Sequence, residues 1–256
     1  MRRTVLRRSA VATSLVSLAL LATACGGGQE SGDEGKGKTV SEQPSASAPA
    51  AAKALTAAEL EKAALAQGDV KGHKVTPPGA GDIGEKKDIA VDNPACEPLA
   101  HTGAGLSYGT PVADVQRKVV SEPEKPSDTT SPDALAAAFN VTMTMVALSS
   151  YEATGADDVF DALTGAGDAC AGGFTITTKG EKQKVTKVEK ASITAGEEAA
   201  AWTVTSEQGG TAMVTTITVV RQGSTLASFS SANLGALDKP SPLPKAVIDA
   251  QVAKLG

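Results

Sequence analysis

Gly105-Leu106-Ser107-Tyr108-Gly109 carries the spacing that serine hydrolases use to expose a nucleophilic hydroxyl on a tight turn. That chemistry needs a buried strand before the serine, a helix after it, and a histidine later in the chain to take the proton. Here Ser107 follows a Pro/Cys segment and meets Pro111, and the two histidines, His73 and His101, both precede it. A glycine-rich loop with one tyrosine for local packing is the better account. Gly32-Asp33-Glu34-Gly35-Lys36-Gly37-Lys38-Thr39 matches a phosphate-binding loop letter for letter. Phosphate is held there by the amides of a helix that follows a strand, and this stretch has neither pattern around it. His73 and His101 share no ligand-like spacing, so each is expected as a solvated surface side chain. Asp157, Asp158 and Asp161 could be imagined as paired carboxylates for acid-base work. At a helix start they read as partners of the helix dipole. The lysine-rich run Lys179 to Lys190 reads as a soluble hairpin face. No catalytic, cofactor-binding or metal-ligating residue is assigned, and no enzyme activity is expected.

The three cysteines are more informative. Cys25 ends the run Leu20-Leu21-Ala22-Thr23-Ala24 and is followed by Gly26-Gly27-Gly28. Upstream lie Arg2, Arg3, Arg7 and Arg8, then an uncharged apolar stretch of about a dozen residues, short of the ~18–20 needed to span a bilayer. The arrangement resembles a bacterial lipoprotein signal. The resemblance implies that residues 1–24 are removed, that the Cys25 sulfur takes a diacylglycerol, and that the new amine takes a palmitate-type acyl chain. Such chains hold a protein to membrane lipid through roughly 0.8 kcal/mol per buried methylene. Arg2-Arg3 also resembles a twin-arginine export signal, and plain positive charge accounts for the same residues, so the export route stays open.

Without residues 1–24, which hold four arginines and no acid, 20 basic and 29 acidic side chains remain, a net of −9. An acidic chain with no basic stripe excludes a nucleic-acid partner as the first reading. Residues 25–54 form the acylated cysteine and a Gly/Ser/Pro/Ala-rich tether that lacks the apolar side chains to bury. A coil of 29 residues (26–54) spans roughly 30 Å. Residues 55–256 then make one extracytoplasmic domain, long enough to bury a core. Its two cysteines, Cys96 and Cys170, most simply form one disulfide in an oxidising compartment. Two buried free thiols are the alternative, and a metal pair fits the spacing poorly.

The elements that would hold any site are legible in outline. Thr56-Ala57-Ala58-Glu59 is a capping box opening a helix of about ten residues that stops at Gly68-Asp69. Val70 to Val75 reads as a short strand, Ile83 to Val91 as an edge strand, and Cys96 as lying in a loop with a helical turn near Pro98 to His101. Val112 to Glu122 and Val141 to Ser149 read as strands, and Pro123 to Asp133 as an exposed loop between them. A helix starts at Thr154 and runs to Cys170. Phe174 to Thr178 and Lys184 to Glu189 form a hairpin about Lys179-Gly180. Ala199 to Ser206, Thr211 to Arg221 and Thr225 to Ser231 form a meander turned at Gly209-Gly210 and Gln222-Gly223. Trp202 and Val204 share one strand face, as do Ile217 and Val219. Val247, Ile248, Gln251, Val252 and Leu255 lie at helical spacing after the prolines at 240, 242 and 244. Consecutive hairpins with three helices predict an α+β fold, an antiparallel β-sheet with helices packed on one face.

The order of these pieces carries a second resemblance. The Leu55-Thr56-Ala57-Ala58-Glu59-Leu60 helix, the Pro94-Ala95-Cys96 loop, the helix ending at Cys170, the meander and Val247-Ile248-Asp249-Ala250-Gln251 follow one another. The chain is similar to actinobacterial lipoproteins related to the PknH-like extracytoplasmic sensor domain of mycobacterial receptor kinases. The resemblance implies a sheet backed by helices, a disulfide, and a cleft for an unknown ligand. The family usually has a Trp shortly before the second cysteine, where Gly167-Asp168-Ala169 stands here. The reading is a lipid-anchored, non-enzymatic ligand-binding or sensor-like domain on the outer face of the cytoplasmic membrane. Its partners are membrane lipid through Cys25 and a small molecule or envelope protein. The alternatives are a lipid or glycolipid carrier with an apolar cavity, and a secreted enzyme of unrecognised type.

Overall fold

The structure, a computed structural model, describes residues 52–123 and 140–256. The export signal, Cys25, the phosphate-loop lookalike and nearly all of the tether lie outside these residues, as does the loop after Pro123. Among the described residues no helix is long and apolar enough to cross a membrane.

The chain runs α1 (Ala57–Ala63), β1 (His73–Thr76), β2 (Ile89–Val91), α2 (Glu97–Gly103), β3 (Ala113–Ser121) and β4 (Thr142–Ser150). It continues through α3 (Gly155–Ala169), β5 (Phe174–Thr178), β6 (Glu181–Ala191), β7 (Glu198–Gln208), β8 (Thr211–Gln222), β9 (Thr225–Asn233) and α4 (Lys245–Leu255). Among the described residues the nine strands form one sheet in the order β1-β3-β4-β9-β8-β7-β6-β5-β2, and every pairing is antiparallel. The β5–β6 turn holds Lys179 and Gly180 at φ 51° and 88°, and the β7–β8 turn holds Gly209 and Gly210 at 58° and 83°. Two left-handed residues in a two-residue loop match the twist of the flanking strands, which is why the hairpins form there.

Local chemistry sets the helix ends. Thr56 Oγ1 accepts the Glu59 amide at 3.3 Å, and Glu59 Oε2 accepts the Thr56 amide at 2.8 Å. The Thr56 amide, together with the Thr56 hydroxyl that donates to Glu59 Oε2 at 2.7 Å, pulls the Glu59 carboxyl below its ordinary range. α1 stops at Ala63, well before Gly68, because the Leu65 amide is taken by Gln251 Oε1 of α4 at 3.1 Å. Gln251 Nε2 also donates to Ala63 O at 2.8 Å. The expected strand from Ile83 shortens to Ile89–Val91, since Lys86–Asp88 forms a 3-10 turn instead.

The fold class is α+β with an antiparallel sheet, and the helices divide between its two faces rather than sharing one. Alternate side chains of a strand point to opposite faces. In β8, Ile217 and Val219 join a core with α2, α3, Val185 and Trp202. Val220, with Ala227 and Phe229 of β9, joins the other core with Leu60 of α1 and Ile248 of α4. β8 and β9 are apolar at consecutive positions, so both faces need cover. The domain's contacts begin just before residue 55: Ala54 is buried, and Ser224 Oγ donates to Lys53 O at 2.9 Å. Residues 48–256 form one compact unit, and among the described residues the buried side chains of both cores lie between Leu60 and Ile248. A chain starting at Ala48 therefore keeps the contacts that fold the domain.

Candidate functional site

Pro94–Cys96 forms a 3-10 turn, capped by Asn93 Oδ1 on the Ala95 amide at 3.2 Å, and it leads directly into α2. A disulfide joins Cys96 at this point to Cys170 at the end of α3, with Cα atoms 5.8 Å apart. Both cysteines are buried. The bond clamps the start of α2 onto α3. α2 has only seven residues, and Pro98 through Thr102 are all buried, so it is packed on nearly all sides rather than on one stripe.

Beyond the clamp, α2 walls a cleft of about 200 Å³. Leu99, Ala100, Gly103 and Ala104 form its helical side. Val185, Val204, Thr215 and Ile217 form its floor on the sheet, and Ile89, Phe174 and Ile176 close it toward the β2 edge. Thr178, Gln183, Ser206 and Met213 complete the lining. Gln183 Nε2 donates to Ser206 Oγ at 2.9 Å, and Ser206 Oγ donates weakly to Met213 O at 3.4 Å. None of these lining residues is ionisable. The cleft can hold apolar matter and offer a few neutral hydrogen bonds.

The residues flagged for chemistry do not converge on this cleft as a reacting set. Ser107 is 4 % exposed, accepts Ser149 Oγ at 2.6 Å, and sits after a helix and before a strand, the reverse of a nucleophile elbow. Tyr108 packs beside it as a loop residue, its carbonyl accepting Tyr151 Oη at 2.7 Å. Burial pushes the Tyr151 phenol up to about 12. His101 corrects the expectation of a solvated side chain: it is 5 % exposed, because the all-round packing of α2 takes its polar positions inside as well. Its Nε2 has no hydrogen-bond partner among the described residues, and the Glu97 carboxylate lies 3.8 Å away. Burial pushes His101 below its ordinary value, with Glu97 opposing and Lys86 assisting. His73 is only half-buried, with Nδ1 3.0 Å from Lys71 O.

Asp158 accepts Thr154 Oγ1 at 3.0 Å at the start of α3. Asp157 lies 3.3 Å from Arg221, which also binds Glu197 at 2.7 Å and Glu198 at 2.6 Å. These acids hold Arg221 above its ordinary value, Glu198 most of all. The cluster ties α3 to β7 and β8 and is structural. Among the described residues no group of three His, Cys, Asp or Glu side chains is placed to hold a metal ion. Gly167 of α3 lies against the Trp202 ring, where a Cβ would collide with the indole nitrogen.

The α2 cleft was not located by any single motif, because its lining comes from six separate segments. The signal that was present is the pair of strand faces read separately, Trp202 with Val204 and Ile217 with Val219.

A family model described as "PknH-like extracellular domain" matches residues 50–254. A solved structure, the crystal structure of the extracellular domain of PknH from Mycobacterium tuberculosis, is similar over 79% of this chain and 95% of that one. The two share 14% sequence identity, with a TM-score of 0.45. No curated protein matches the sequence.

Proposed function

The chain belongs to the PknH-like extracellular domain family, and from that premise we propose a lipid-anchored domain that binds a small molecule in the α2 cleft. The domain is an extracytoplasmic, sensor-like module. The observation that carries ligand binding is the uncharged cleft, one wall of which is fixed in place by the Cys96–Cys170 clamp. A cleft with a covalently held wall is preorganised, so a ligand loses less free energy ordering it. Thr215→Phe tests this by filling the cleft from its floor. Binding is lost while the unfolding midpoint holds; retained binding would overturn the site.

Anchoring rests on Cys25 and its small-residue approach. The wild-type protein is expected in the detergent phase and Cys25→Ser depleted from the acylated fraction, followed by mass spectrometry of the amino terminus. A wild-type terminus without acyl mass would remove the anchor. The outer face of the cytoplasmic membrane follows from such an anchor on an extracytoplasmic domain. About 200 Å³ falls below the roughly 300–1,000 Å³ of pockets for drug-sized ligands, so the ligand proposed is smaller than those and the lipid-carrier reading is second. An enzymatic reading has no ionisable side chain on the cleft to build from.

A further inference from the structure

Resting on the cleft reading above, we infer that the ligand is a small uncharged molecule with an apolar body and one hydrogen-bonding head group, held at the rim by Gln183. The inner lining around Leu99, Phe174 and Ile217 offers carbon and no charge. An ion placed there would give up its hydration without a partner of opposite sign, which strongly disfavours phosphates, carboxylates and amines. One aromatic ring, Phe174, lines the cleft, too little to stack both faces of a sugar.

The rim differs from the interior. Thr178 and Gln183 are shared between the cleft and a shallow outer step that includes Lys179, Glu181 and Gln208. The two charges on that step already have partners: Lys179 lies 3.7 Å from Asp88, and Glu181 accepts Gln208 Nε2 at 3.1 Å. Of the two shared side chains Thr178 is exposed and Gln183 is half-buried, so Gln183 is the one that reaches from the step toward the cleft. It uses one N–H on Ser206 Oγ, and an amide also carries a second N–H and a carbonyl oxygen. Among the described residues neither of these has a partner. A donor and an acceptor side by side suit a hydroxyl or an amide, both neutral, at the point where the apolar lining ends.

The test uses residues 48–256, titrated with benzyl alcohol, benzoate and benzylammonium, three probes of one size and three charges. The methyl signals of Ile89, Ile176 and Ile217 report the cleft. Benzyl alcohol is expected to shift these three and to bind about tenfold or more tighter than either ion. Gln183→Leu is expected to weaken benzyl alcohol roughly three- to tenfold while leaving the ions unchanged. Equal or tighter binding of either ion at the same methyls would overturn the ligand class and leave the cleft standing. Unchanged benzyl alcohol affinity in Gln183→Leu would remove Gln183 from the head-group role. Silence at all three methyls with every probe would overturn the cleft itself, and this inference with it.

Discussion

On the sheet face under α1 and α4, Leu60, Val146, Phe229 and Ile248 belong to one apolar core. Gln251 seals it by bonding two backbone groups at the end of α1. On the face under α2 and α3, a covalent bond does the fastening, and the short α2 leaves a cleft beside β5 to β8. On the first face Gln251 ties α1 to α4, and a surface groove beside α4 at Ile193 and Ile248 stays open. α2, as short as α1, has its start bonded through Cys96 to the end of α3, with the cleft beside it. The contrast is one of fastening: a buried glutamine ties the helices of the first face, and a disulfide ties those of the second beside the cleft.

Breaking the covalent fastening should have the largest effect. The chain-entropy relation assigns about 4.5 kcal/mol to a loop of this length, and removal of such bonds usually costs about 2–5 kcal/mol. Urea unfolding of Cys96→Ser/Cys170→Ser against wild type measures it. A loss under about 1 kcal/mol would mean that packing alone positions α2, and the contrast between the faces would vanish. Gln251→Leu comes next, leaving the Leu65 amide buried without a partner at a cost of about 1–3 kcal/mol. The same variant should leave benzyl alcohol binding unchanged, since Gln251 lies on the opposite face. Altered binding would show that the faces are coupled.

Gly167→Ala places a methyl against the indole of Trp202, an overpacking expected to cost about 1–3 kcal/mol. Trp202 is the sole tryptophan, so its emission reports the displacement directly. An unmoved spectrum and midpoint would show slack on the cleft face where close contact is described.

The smallest effect concerns pH. His101 has a folded pKa below its unfolded value, with burial as the main cause. The unfolded chain therefore binds the extra proton first. Stability is full above the ordinary histidine value near 6.5 and declines as pH falls from there toward the folded pKa. Glu97 on the same helix opposes this, Lys86 from the turn before β2 assists it, and the Tyr108 ring lies 5.9 Å away. Unfolding at a series of pH values should show the decline in wild type and a shallower slope in His101→Gln. Equal slopes would assign the acid sensitivity elsewhere.

Much of the framework was legible. Thr56 and Glu59 announced the first helix because a capping box is a local device, complete within four residues. Lys179-Gly180 and Gly209-Gly210 announced their turns for the same reason. The spacing of Val247, Ile248 and Gln251 gave the last helix and its buried face, although a glutamine at full burial finds its reason only in α1, far away in sequence. The double-sided cover of β8 and β9 was hidden by reading Ile217 and Val219 as a face without giving Val220 equal weight. His101 was misplaced because solvent exposure was assigned by residue type, and a seven-residue helix packed all round has no outward stripe to show. The cleft depended on strand order, which pairs β2 with β5 so that Ile89 stands opposite Thr178, and on the placing of α2 against β8, and no local pattern encodes that.

The isoleucines offer the most direct measurement of the central claim, that the α2 face binds and the α4 face coheres. Ile89, Ile176 and Ile217 line the cleft, whereas Ile193 and Ile248 line the surface groove beside α4. Residues 48–256 with labelled isoleucine methyls can be titrated with small molecules extracted from the envelope of the producing cell. The cleft trio should move together, with Ile193 and Ile248 unchanged. Movement of Ile193 and Ile248 while the trio stays still would contradict the account.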